Sequence, residues 1–190
     1  GDGILFQADV SDEAEVCRMF EDCGQRFGGI DILINNAGVT SFIPFPDLDA
    51  ATGDIWSKLY DINVKGTFFC SREAAKWMKS RKNPCIVNVA SQSGMRPLGS
   101  SIPYSVSKAA QIHLTKCLAV TLAPEIRVNC VAPGYVDNTR WNAGRENFSA
   151  EESAAAASKG IPLNRVAEPD DIAEAILFLC QPGSFCHGVV

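Results

Sequence analysis

The 190-residue sequence lacks the features that mark several classes of protein. It has no run of about 18 apolar residues, which a membrane-spanning helix requires. Its first residues, GDGILFQADV, show neither a basic start nor a small-residue cleavage site. The net charge is -5, and the sequence has no cluster of lysine and arginine of the kind that binds nucleic acids or anionic membranes. We therefore expect a soluble, cytoplasmic protein that has neither nucleic acid nor membrane as a partner.

Metal-binding and disulfide patterns are also missing from the sequence. The eight cysteines are scattered, with no CxxC motif and no Cys/His cluster. The two histidines lie in no motif that suits a hydrolytic triad or a metal site. This pattern favours reduced cysteines and no metal centre.

What the sequence does contain is an alternation of short apolar runs with longer amphipathic stretches. This alternation predicts an α/β fold with a parallel sheet and crossover helices. Hydrophobic residues make up 46% of the chain, enough for one core, so we expect a single domain over residues 1–190. Strands are predicted at 4–10, 31–35, 85–94 and 126–134. Helices are predicted at 11–28, 55–81, 101–123 and 169–180, the first with Ser11 as its N-cap.

Each predicted strand ends in polar or glycine-rich residues. These ends are Asp9, NNAG at 35–38, SQSG at 91–94 and the Pro133-Gly134 pair. Each one alone could be an ordinary turn. Because ligands of open parallel sheets bind outside the carboxyl ends of the strands, four such ends together predict a ligand crevice.

The segment SSIPYSVSKAA places Tyr104 four residues before Lys108, which is one turn of a helix. The two residues could be ordinary neighbours on a surface helix. The catalytic interpretation is that an ammonium within about 4–6 Å brings the pKa of a phenol down toward neutrality. Ser91, at the end of a neighbouring predicted strand, could hydrogen-bond the same substrate oxygen.

Four motifs together resemble, in order and spacing, the short-chain dehydrogenases/reductases of the extended Rossmann type. They are NNAG at 35–38, NVKG at 63–66, Ser91 with YSVSK at 104–108, and RVNCVAPG at 127–134. The resemblance covers nearly the whole chain and is strongest to oxoacyl-carrier-protein reductase-like and sugar or polyol dehydrogenase members. It implies a doubly wound parallel sheet and an NAD- or NADP-dependent oxidoreductase that interconverts a small-molecule ketone and a secondary alcohol.

The resemblance also implies a role for each site residue. Tyr104 would be the general acid/base. Lys108 would hold the nicotinamide ribose and lower the pKa of Tyr104, Ser91 would position the substrate oxygen, and Asn63 would anchor a water linked to Lys108. Besides Tyr104 and Lys108, the implied cofactor-binding residues are Asp9, Val10, Asn36, Ala37, Gly38, Pro133, Gly134 and Val136.

Parts of the family pattern have no counterpart in the sequence. The TGxxxGxG turn is missing, as are matches to the first two strands and the last strand, so the resemblance implies an N-terminally truncated Rossmann domain. The alternative to an active enzyme is therefore a catalytically silent fragment that acts, if at all, as an interaction module. If the neighbours of 4–10 are absent, this segment is expected either to pair in parallel with 31–35 or to stay apart, in which case the isolated chain is expected to fold poorly.

Two further expectations concern other parts of the chain. Residues 135–168 show weak periodicity and follow the Pro133-Gly134 turn, so we expect them to form a substrate lid. The resemblance also implies a homo-oligomer built on the helices at 55–81 and 101–123.

Overall fold

A computed structural model describes residues 3–139, 154 and 158–190 of the chain. The helices are α1 (Glu13–Phe27), α2 (Gly53–Tyr60), α3 (Thr67–Met78), α4 (Ile102–Leu122) and α5 (Pro169–Cys180). The strands are β1 (Ile32–Asn35), β2 (Cys85–Val89) and β3 (Arg127–Val131). A π-helical segment, Asp61–Gly66, joins α2 to α3, and a 3₁₀ turn, Gln92–Gly94, follows β2.

The three strands form a parallel sheet in the order β1-β2-β3. Ile32 of β1 lies opposite Cys85 of β2, and Cys85 lies opposite Arg127 of β3. Helices connect the successive strands, as parallel pairing requires. The predicted Rossmann-like α/β fold is confirmed.

The core covers both faces of the sheet, which explains the uninterrupted apolar start of β2. Successive residues of a strand point to opposite faces. Ile86 therefore joins the cluster built by α1, α3 and α4, whereas Cys85 and Val87 join a smaller cluster under α5. All three side chains are fully buried.

The predicted strand at 4–10 is wrong. The structure shows no strand there, and no backbone hydrogen bond joins 4–10 to β1. A strand is defined by its ladder, and an apolar sequence without a bonded neighbour cannot make one. Leu5 is accordingly 95% exposed, so of the two predicted outcomes the segment takes the one in which it stays apart.

Among the described residues, β1 pairs only with β2, so its other edge carries no bonded strand. Ile32 and Ile34 on β1 are each 46% exposed. At the opposite edge, the tail bonds to β3 without forming a regular strand. The Gly188 N–H donates to Val128 O at 2.8 Å, and the Cys130 N–H donates to Val189 O at 2.9 Å.

Two predicted helices differ from the observed ones in detail. The first is capped by Asp12 rather than Ser11, because the Asp12 carboxylate accepts from the N–H groups of Ala14 and Glu15. Ser11 instead donates its hydroxyl to Asp9. The predicted helix at 55–81 is interrupted by the π-helical segment and ends at Met78.

Half of the predicted lid at 135–168 lies outside the described residues. Its described ends meet at a parallel bridge between Val136 and Ala167. The lid therefore stays a prediction. In the part of the chain that the structure describes, no helix is long and apolar enough to cross a membrane.

Candidate active site

Two adjoining cavities lie at the carboxyl edge of the sheet. The inner cavity, of about 1230 Å³, is lined by Asn36, Gly38, Ser91, Tyr104, Lys108, Pro133, Gly134 and Val136, among others. The outer cavity, of about 820 Å³, is lined by Asp9, Val10, Ala37 and Gly38, among others. Gly38 lines both cavities, so the predicted crevice exists, and every predicted site residue except Asn63 lines one cavity or the other. Asn63 lines neither cavity and is fully buried.

Tyr104 lies in the first turn of α4, whose start is fixed by a side-chain cap. The Ser101 hydroxyl accepts a hydrogen bond from the Tyr104 N–H at 3.3 Å. The Tyr104 side chain is 6% exposed and lies near the side chain of Ser91, which follows β2. The Ser91 hydroxyl donates to the Ser93 hydroxyl at 3.2 Å. The structure thus places Ser91 and Tyr104 together on the wall of the inner cavity.

Burial raises the pKa of Tyr104, and the hydrogen bond with Ser91 opposes this shift. The predicted lowering by Lys108 is therefore not found. The Lys108 Nζ lies 5.9 Å from the centre of the Tyr104 ring, and two of its hydrogen bonds go elsewhere. Tyr104 is consequently protonated at neutral pH.

Lys108 is buried behind Tyr104, with 3% of its surface exposed. Its Nζ donates to Val89 O and to Gln111 Oε1, both at 2.9 Å. Burial lowers the pKa of Lys108 to about 8, and the nearby Cys130 acts in the opposite direction. A pKa this low leaves the ammonium charged at neutral pH but close to its titration range.

Asn63 fixes the loop after β1 rather than contacting Lys108. Its Nδ2 donates to Val39 O at 3.0 Å, and the Val39 N–H donates to its Oδ1 at 2.9 Å. A further bond from Nδ2 reaches Ser107 on α4 at 3.0 Å. The π-helical segment that contains Asn63 therefore ties the NNAG loop to the helix that carries Tyr104 and Lys108.

The Pro133-Gly134 turn lies beside the turn that contains Ser91. The Gln92 N–H donates to Pro133 O at 2.9 Å. A Cβ added to Gly134 would lie 3.3 Å from the Gln92 side-chain nitrogen, so glycine keeps this backbone close to Gln92. Sequence reasoning did not single out Gln92.

At the outer cavity, Asp9 is engaged in a local turn. Its carboxylate accepts from the N–H and the hydroxyl of Ser11 at 2.9 and 2.7 Å. These bonds lower the pKa of Asp9, the side-chain bond contributing most. Asp9 is therefore anionic at neutral pH and holds a fixed orientation beside Val10.

We expect Lys108→Met to change how stability depends on pH. The folded-state pKa of about 8 lies below the ordinary 10.5, so the unfolded chain binds more protons between these values. The free energy of unfolding of the native chain should therefore rise with pH more than that of Lys108→Met does. The difference between the two should grow by about 2–3 kcal/mol from pH 7.5 to 10. Urea titrations of both proteins at a series of pH values measure the difference.

Lys116→Met on the exposed side of the same helix is the matched control for the loss of a lysine side chain. A pH-independent difference between Lys108→Met and the native chain would contradict the lowered pKa of Lys108.

Comparisons with known proteins agree with this geometry. A family model described as enoyl-(acyl carrier protein) reductase matches residues 1–190. A protein of Streptomyces violaceoruber described as ketoacyl reductase 2 of the granaticin polyketide synthase is 40% identical over 180 residues, covering 95% of this chain and 71% of that protein.

Two solved structures are also similar. ElxO with NADP bound has a TM-score of 0.88 at 32% identity, covering 98% of this chain and 75% of that one. NAD+-bound xylitol dehydrogenase has a TM-score of 0.84 at 30% identity, covering 97% of this chain and 75% of that one.

A parallel sheet whose carboxyl edge brings a serine, a tyrosine and a buried lysine together defines a Rossmann-type oxidoreductase. With the family match over its whole length, the chain belongs to the short-chain dehydrogenase/reductase family.

Proposed function

We propose that this chain uses NAD or NADP to interconvert a ketone and a secondary alcohol, with Tyr104 as the general acid/base. One observation carries the proposal. The side chains of Tyr104 and Ser91 line the wall of the inner cavity together, and the buried Lys108 ammonium lines the same cavity. A carbonyl oxygen that entered this cavity would find a proton donor and a second hydroxyl group.

The protonation state of Tyr104 suits the reduction of a carbonyl. Because burial raises its pKa, the phenol holds its proton at neutral pH and can give it to the developing alkoxide. Ser91 holds the phenol hydroxyl in place and can position the substrate oxygen. In the opposite direction Tyr104 would take the proton from the alcohol, which needs the charge of Lys108 to stabilise the phenolate.

The residues present fit a nicotinamide dinucleotide, which when bound supplies or accepts the hydride. Pro133, Gly134 and Val136 would hold its nicotinamide side in the inner cavity, where the Lys108 ammonium can donate to ribose hydroxyls. The outer cavity would take its adenosine side, against Asp9, Val10 and Ala37 of the two adjoining loops, with the neighbouring Asn36 on the wall of the inner cavity.

Gly38 separates the two cavities and supports this assignment. A Cβ at this position would lie 3.3 Å from Asn63 Oδ1 and 3.5 Å from Lys108 Nζ. A larger residue would therefore press on Asn63 and contact Lys108. Glycine lets the NNAG loop lie close to both side chains.

The wall opposite Tyr104 indicates the substrate class. It is largely apolar, with Phe42, Ile43, Phe45, Leu98 and Tyr135 among the lining residues. We therefore propose a small-molecule carbonyl or alcohol substrate with an apolar part.

A cytoplasmic location and a homo-oligomer built on the predicted helices at 55–81 and 101–123 also remain proposals. Val120 on α4 is 83% exposed and available for a contact between subunits.

Mixing the purified chain with NADH or NADPH and following nicotinamide fluorescence tests the proposal. We expect a fluorescence change with at least one of the two cofactors, and cofactor oxidation when a panel of β-ketoacyl thioesters, cyclic ketones and ketoses is added. Circular dichroism confirms that the chain is folded. A folded chain that binds neither cofactor would favour the silent alternative.

A further inference from the structure

A continuous buried hydrogen-bond chain runs from Lys108 to the π-helical segment. The Lys108 Nζ donates to Gln111 Oε1 at 2.9 Å, and the Gln111 Nε2 donates to Thr67 Oγ1 at 2.8 Å. The Thr67 hydroxyl donates in turn to Asn63 O at 2.9 Å. None of these four residues is more than 3% exposed.

The chemistry of the groups allows only one direction for this chain. An ammonium has no acceptor, so the amide of Gln111 must turn its oxygen toward Lys108. Its NH₂ group then faces Thr67, whose hydroxyl accepts there and donates onward to the carbonyl of Asn63. Each partner therefore orients the next, and the amide oxygen of Gln111 cannot leave Lys108 without breaking the bond to Thr67.

The backbone of Gln111 is held separately. The Thr115 hydroxyl donates to Gln111 O at 2.9 Å and accepts from Asn88 Nδ2 on β2 at 2.9 Å. A second set of buried bonds thus fixes the helix at this point without involving Lys108. This separation lets the side-chain bond of Gln111 be tested apart from its contribution to stability.

We propose that Gln111 is a positioning residue for Lys108: its amide oxygen holds the ammonium at the base of the cleft and favours its protonated form. The alternative is that Gln111 is a buried polar residue that only ties helices together. The catalytic consequence rests on the proposed function, but the effect on Lys108 does not.

The expected effect follows from the groups that face Lys108. Val89 O is its other hydrogen-bond acceptor, and Tyr104 on α4 and Cys130 on β3 are titratable groups near it. Burial raises the pKa values of both Tyr104 and Cys130, so both are neutral at pH 7. Gln111 is therefore one of two hydrogen-bond acceptors of the ammonium. The free energy of one charge-assisted hydrogen bond corresponds to a shift of about one to two units in the pKa of Lys108.

The experiment is an NMR titration of lysine side chains labelled with ¹³C at Cε and ¹⁵N at Nζ. Loss of one signal in Lys108→Met assigns the Lys108 resonance. We expect Gln111→Leu to lower the pKa of Lys108 by about one pH unit or more. Gln111→Glu should raise it, because a carboxylate favours the ammonium.

Thr115→Val is the matched control, since it removes a buried bond of Gln111 that does not reach Lys108. It should lower the melting temperature but leave the Lys108 titration unchanged. If Gln111→Leu does not fold, Gln111→Met gives the same comparison. Unchanged titration in a folded Gln111→Leu or Gln111→Met chain, or an equal shift in Thr115→Val, would overturn the proposal.

The titration needs no turnover, so its result is independent of the proposed function. If the native chain is inactive but Lys108 shifts as expected, only the proposed function fails. If the chain is active, the pH profile of kcat should move to lower pH in Gln111→Leu and to higher pH in Gln111→Glu. A merely structural role would lower kcat in both variants without moving the profile.

Discussion

Tyr104→Phe is expected to lower kcat by about 10²–10⁴-fold while leaving NAD(P)H affinity within about twofold. The substitution removes only the phenol hydroxyl, and the ring keeps its buried position at the start of α4. Proton transfer is lost, but the residues proposed to hold the cofactor remain in place. Steady-state kinetics with the best ketone, together with fluorescence titration of the cofactor, measure both quantities.

Tyr60→Phe is the matched control, because Tyr60 is 39% exposed and lies outside the site. It should change neither kcat nor cofactor affinity. Lys108→Ala, in contrast, should impair both, since Lys108 is proposed to hold the ribose as well as to stabilise the phenolate. Equal loss of cofactor affinity in Tyr104→Phe and Lys108→Ala would contradict the roles assigned to the two residues.

The carboxyl-edge site could be predicted from the sequence because its signals are local. Tyr104 and Lys108 are one helical turn apart, so their spacing places them near one another. Ser91 follows the apolar run of β2 at the same edge of the sheet, and its role came from the resemblance to the family. The strands β1, β2 and β3 were predictable for the same reason. Each is a short apolar run that ends in polar or glycine-rich residues.

Features that depend on distant contacts could not be predicted in this way. The segment 4–10 has the composition of a strand, but pairing is a property of two segments and its sequence does not reveal a missing partner. The bonds of Asn63 to Val39 join residues 24 positions apart. The shift of the Tyr104 pKa depends on burial, which local spacing does not reveal.

Gln111 carries a sequence signal for a buried polar contact with Lys108. It is an amide three residues after Lys108, on a helix whose neighbouring positions there are alanine and isoleucine. A polar residue on a buried helical face needs a partner, and the position three residues from a lysine offers one. The identity of its other partner, Thr67, still required the tertiary structure.

Gly94→Ala is expected to destabilise the protein by about 3 kcal/mol and to lower kcat by about 10²-fold. A Cβ on Gly94 would lie 2.6 Å from the carbonyl carbon of Lys108 and 2.7 Å from the nitrogen of Ala109. Both are backbone atoms of α4, so no side-chain rotation relieves the overlap. The 3₁₀ turn and the helix must move apart, which separates Ser91 from Tyr104.

Urea unfolding and steady-state kinetics of Gly94→Ala measure these two effects. Gly53→Ala is the matched control, because nothing lies within 4 Å of a Cβ at the start of α2. It should change stability by less than about 0.5 kcal/mol and leave kcat unaltered. Since the overlap involves the backbone of Lys108, whose ammonium is proposed to act in catalysis, stability and activity should fall together in Gly94→Ala. A stable Gly94→Ala chain with native kcat would show that the turn and α4 are not packed as closely as this structure has them.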